Sequence, residues 1–84
     1  MGTKKILRLL QRAKDAPAGW SGDELIGLYK DFGFYIEKGR KHDLVKHANL
    51  PDGIKGTITR SSGEIHPDYV RTAVELIELS RMKK

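Results

Sequence analysis

The run F-Y-I-E-K-G-R-K-H-D-L-V-K-H, from Phe34 to His47, holds two short extended segments joined at Gly39. In Phe34 to Lys38 the residues alternate, with Phe34 and Ile36 on one side and Tyr35 and Glu37 on the other, the period of a half-buried strand. His42 to His47 is a second strand. Leu44 and Val45 are adjacent within it and fall on opposite faces, so alternation leaves open which face is buried. Downstream, P-D-G at 51–53 is turn chemistry, and Gly56 to Arg60, with Thr57, Ile58 and Thr59, is a third strand. Three consecutive strands with short turns predict an antiparallel meander.

Helices flank the strands on both sides. Upstream, Trp20-Ser21-Gly-Asp-Glu24-Leu25 carries a Ser-x-x-Glu capping box, with Trp20 just before the cap and Leu25 one turn inside, the arrangement of a hydrophobic staple. Leu25, Leu28, Tyr29 and Phe32 then stripe one helix face, and Gly33 suits a left-handed C-terminal cap. Earlier still, Ile6, Leu9, Leu10 and Ala13 recur at helical spacing within Lys4–Lys14, while Lys5, Arg8, Arg12 and Lys14 take the other side. Asp15 to Gly19 is a loop. After the strands, Ser61-Ser62-Gly63 breaks the sheet, Pro67 fits a first helical turn, and Val70, Ala73, Val74 and Ile77 stripe a final helix. A three-stranded sheet needs one face covered, and the helices supply that cover. The expected fold is α+β: a two-layer domain with an antiparallel sheet, an extra N-terminal helix at 4–14 and a core over 21–79.

Eighty-four residues allow one domain, 1–84, and exclude multi-domain enzymes. The chain is 38% hydrophobic and 32% charged, apolar enough for a small core. It has no cysteine, which removes disulfides, thiolate metal sites and thiol nucleophiles. No apolar run has the length of a signal peptide or a membrane span, so the expectation is a cytoplasmic protein without a membrane partner. Sixteen Lys and Arg against eleven Asp and Glu give +5, a balance that favours a polyanionic partner, nucleic acid first and an acidic protein second.

No phosphate-binding loop, dinucleotide fingerprint, His-Glu-x-x-His or serine elbow is present. The chemistry concentrates instead where His42 and His47 lie among Lys38, Arg40, Lys41 and Lys46. RNA cleavage needs no cofactor: a base takes the 2′-hydroxyl proton, the oxygen attacks the adjacent phosphate, and cations stabilise the developing charge. A histidine in a nest of lysine and arginine supplies those functions. The plain alternative is a solvated basic hairpin. A metal site from the two histidines is disfavoured, because residues five apart on one strand point to opposite faces and no third ligand lies nearby. His66, beside Pro67, reads as a helix-start residue.

Gly33-Phe34, then Lys38-Gly-Arg-Lys-His42-Asp-Leu-Val-Lys-His47, then Gly63-Glu-Ile-His-Pro67 and Val70-Arg71, resemble the HicA family of toxin–antitoxin mRNA interferases. The resemblance runs from about Lys4 to Leu79. It implies a double-stranded-RNA-binding-domain-like fold, ribosome-independent mRNA cleavage and neutralisation by a HicB-like antitoxin, and its catalytic histidine matches His42. Lys38, Arg40, Lys41, Lys46, His47 and Arg60 are then the candidate RNA contacts, with Arg71 as a further one, and no cofactor or metal is expected. One departure stands out, because Arg40-Lys41 occupies the place of the family's usual Gly-Ser.

Two other functions remain open on the sequence: a module that grips structured RNA without cutting it, and a basic domain that docks an acidic protein. In the ribonuclease reading the weak point is the partner acid, a role His47 fills only if both rings reach one side.

Overall fold

The computed structural model describes residues 3–40, 42–50, 55–59 and 63–82. Six elements follow one another: α1 (Thr3–Asp15), α2 (Gly22–Asp31), β1 (Tyr35–Glu37), β2 (Asp43–Lys46), β3 (Gly56–Ile58) and α3 (Pro67–Met82). The strands form one antiparallel sheet in the order β1-β2-β3, as the meander reading expects, and the helices cover one face. Each strand is a little shorter than its sequence signal. The turn residues 51–54, together with Lys41 and Arg60, lie outside the described residues.

Local chemistry explains where α2 starts and stops. The Ser21 hydroxyl accepts the Glu24 N–H at 3.1 Å, and the Glu24 carboxylate accepts the Ser21 N–H at 3.0 Å, so two otherwise orphaned donors are satisfied reciprocally. At the other end Gly33 takes φ +86°, a region costly for residues with a Cβ. Its N–H bonds the Lys30 carbonyl and the Phe34 N–H bonds the Tyr29 carbonyl, a complete Schellman cap. The accompanying apolar contact is Tyr29 on Phe34, with ring centroids 5.1 Å apart. This cap reverses the chain into β1.

The register settles which face of β2 is buried. Ile36 pairs with Val45 and Val45 with Gly56, while Asp43 pairs with Ile58; these residues face the helices, and Val45 and Ile58 are wholly buried. Tyr35, Glu37, Leu44, Lys46 and Thr57 take the outer face. Gly56 is small for a reason: a methyl group there would sit 2.6 Å from a Leu76 methyl and 3.4 Å from the Tyr29 hydroxyl. Its absence lets β3 lie close against α3.

All three helices share one apolar core. Leu10 and Ala13 of α1 join Trp20, Leu25, Leu28 and Tyr29, and Val70, Ala73, Leu76 and Ile77 come from α3. Trp20 is 2% exposed, its indole N–H donates to the Ala16 carbonyl at 3.1 Å, and the Arg12 guanidinium lies 5.0 Å from its ring centre. Its own carbonyl accepts the Ile65 N–H, and Ser21 pairs with Glu64 in a single antiparallel bridge. The lead-in to α3 is thus tied to the start of α2. None of the helices is long and apolar enough to cross a membrane among the described residues.

Candidate functional site

The β1–β2 hairpin carries the basic residues, and its tip is held by backbone geometry. The Gly39 N–H donates to the Asp43 carboxylate at 3.2 Å, so the first residue of β2 reaches back across the turn. Asp43 itself is only 3% exposed. A methyl group at Gly39 would collide with the His42 carbonyl oxygen, so the turn is closed more tightly than any residue with a side chain allows. Together these contacts bring Gly39 close to His42 and Asp43. Lys38, Arg40 and His42 project from this loop, all exposed to solvent.

His47 is placed quite differently. Its Nε2 donates to the Phe32 carbonyl at 3.1 Å, and its Nδ1 accepts the Asn49 N–H at 2.9 Å, a pattern that puts the ring proton on Nε2. The ring meets Phe34 edge-on with centroids 4.6 Å apart, and Gly33 leaves the space it occupies. His47 therefore bonds the carbonyl of Phe32, the C-cap of α2, and ties the far end of β2 to it. The two histidines are not brought together: one is at the exposed tip, the other at the helix junction.

Lys46 lies on the outer sheet face, where its ammonium bonds Glu37 at 2.9 Å. That hydrogen bond, with the carboxylate charge behind it, holds the ammonium above its ordinary pKa. Exposed pairs of this kind are weak, so an incoming phosphate competes readily for the lysine. Arg71 instead bonds Asp68 at 2.8 Å on the exposed face of α3. His66 accepts the Asp68 N–H on Nδ1 at 3.1 Å and so caps α3, the helix-start role its position suggests.

No family model matches the chain, and no curated protein or solved structure is similar enough to match it. Two residues that shape it carry no signal of chemistry in the sequence: Asp43, which reads as a strand residue, and Glu37, which reads as one half of an alternation. Only the four-residue spacing of Gly39 and Asp43 across a basic turn hints at the tie. Among the described residues, no three His, Asp or Glu side chains gather as a metal centre.

A second recess lies at the opposite edge of the sheet, where Thr57, His66, Asp68, Tyr69 and Thr72 line a hollow of about 440 Å³. It is open, its surface is mixed in polarity, and its histidine is engaged with the helix end.

Proposed function

We propose that the protein is a HicA-like endoribonuclease, a cytoplasmic toxin whose basic hairpin grips mRNA and whose His42 imidazole takes the proton from a ribose 2′-hydroxyl. The reading is supported above all by an exposed histidine next to the Gly39–Asp43 tie, with Lys38 and Arg40 exposed nearby. A general base must be accessible to its substrate, and the exposure of His42 supports that role. The order of three helices and a three-stranded meander is compatible with the double-stranded-RNA-binding-domain-like topology that the resemblance implies.

In this mechanism His42 removes the 2′-proton, the 2′-oxygen attacks the adjacent phosphorus, and the P–O5′ bond breaks with water protonating the leaving oxygen. The products are a 2′,3′-cyclic phosphate and a 5′-hydroxyl. Lys38, Arg40 and Lys46, with Lys41 and Arg60 from the segments outside the described residues, stabilise the charge on the phosphoryl oxygens. His47 acts as a positioning residue, since both of its ring nitrogens already bond the backbone. A HicB-like antitoxin, acidic where this chain is basic, is the proposed partner.

The test is incubation of the purified protein with a long RNA in excess chelator, followed by analysis of the fragment ends. Cyclic phosphate and 5′-hydroxyl ends are expected. Intact RNA that remains bound favours instead a module that reads RNA shape without cutting it.

A further inference from the structure

A groove of about 450 Å³ runs beside β1, between the sheet and α2. Ile26, Phe34 and Ile36 supply its apolar surface, and Lys30 and Lys38 stand exposed on its rim. Asp43 reaches the floor, where its carboxylate accepts the Gly39 N–H. Because β1 is the outermost strand, the side of its backbone away from β2 has no neighbouring strand among the described residues. The groove and the open strand edge thus form one continuous feature.

We propose that this edge binds an extended acidic segment of a partner protein, which adds to the sheet as a fourth strand. An unpaired strand edge offers alternating N–H and C=O groups, and only another polypeptide backbone matches that ladder. Apolar side chains on alternate residues of the incoming strand enter the groove over Ile26, Phe34 and Ile36. Acidic residues beside them meet Lys30 and Lys38.

The lysines also decide against other occupants. Edge strands are commonly protected from pairing by short length and by lysine, and β1 is short. Those charges repel a second copy of this chain, which carries +5, while they attract an acidic strand, so one device gives both protection and selectivity. The recess beside the opposite edge, at β3, is lined by Thr57, His66, Asp68, Tyr69 and Thr72, with neither lysine nor arginine. The proposal stands apart from the ribonuclease reading, since it requires nothing of His42.

The experiment titrates the isotopically labelled full chain with a short peptide alternating Glu and Val, with a Lys-Val peptide of equal length beside it, and follows the amide resonances. The acidic peptide should bind and shift Tyr35, Ile36 and Glu37, while Thr57 and Ile58 stay in place. Lys30→Glu should weaken it by about tenfold, the order expected when a close attraction becomes a repulsion. Lys5→Glu, an exposed change on α1, should leave binding within about twofold. Failure of the acidic peptide to bind, equal binding of the basic peptide, shifts confined to β3, or full affinity in Lys30→Glu would each overturn the proposal. RNA cleavage, measured separately, bears on the other reading alone.

Discussion

Replacing Tyr29 by Phe should make the protein more stable, although Tyr29 is one of the largest residues in its core. The side chain is 1% exposed, and its hydroxyl is buried without a hydrogen-bond partner among the described residues. Burying an unpartnered hydroxyl costs roughly 1–3 kcal/mol by mutational measures. Phe keeps the ring, and with it the contact to Phe34. The space vacated by one oxygen is small, and at about 24 cal/mol per Å³ it returns only a few tenths of a kcal/mol. The net expectation is a gain of about 1 kcal/mol at neutral pH, which for a domain of this size raises Tm by roughly 4–8 °C. Alkaline pH enlarges the difference. Burial raises the Tyr29 pKa above its ordinary value of 10.0, because the phenolate cannot be solvated in the core. A raised folded-state pKa contributes stability that is fully present below the unfolded value and is lost as pH climbs above about 10. The Phe variant cannot suffer that loss, so its urea midpoint should exceed wild type at pH 7 and exceed it further at pH 11. Circular dichroism against urea at both values decides it. A Tyr29→Phe protein destabilised by 1 kcal/mol or more would show that the hydroxyl is satisfied, and the account of this core would be wrong.

Three further outcomes follow from the same geometry. Trp20→Ala should cost about 3–5 kcal/mol in chemical denaturation, since it empties a fully buried site and frees the Ala16 carbonyl; a loss under 1 kcal/mol would contradict the packing. Gly39→Ala should leave the core folded by circular dichroism yet disturb the hairpin tip, visible as amide shifts at His42 and Asp43 and as weaker RNA cleavage; unchanged shifts would remove the argument for a closed turn. RNA affinity should fall with salt, at a slope of about −0.7 in log–log terms for each phosphate neutralised on a single strand, and a flat response would speak against nucleic acid altogether.

The features that were legible in the sequence are those set by neighbours a few residues apart. Ser21 and Glu24 announce the start of α2 because a capping box is closed within one turn, and Gly33 announces its end because only the left-handed region completes that cap. The α+β order followed from the change between helical and strand periods. Which face of β2 is buried was not legible: Leu44 and Val45 are both apolar, and only pairing with Ile36 and Gly56 turns Val45 inward. The site divides the same way. Clustered cations marked the hairpin, but the role of His47 depends on the Phe32 carbonyl, fifteen residues earlier in the chain, and on Asn49. Asp43 is similar, since a carboxylate that bonds a glycine N–H across a turn looks like any other strand residue until the chain is folded.

A comparison of His42→Ala with His47→Ala separates the chemistry proposed for His42 from the structural role of His47. Each variant would be assayed for RNA binding, for cleavage in excess chelator and for the urea midpoint. His42→Ala should retain binding and stability while its cleavage falls by about 10² to 10⁴, the range for loss of a general base. His47→Ala should lose stability, because both hydrogen bonds of the ring and its contact with Phe34 are removed, and its cleavage should recover at low temperature where the fold persists. Equal cleavage by wild type and His42→Ala, or loss of cleavage in a fully folded His47→Ala, would contradict the assignment.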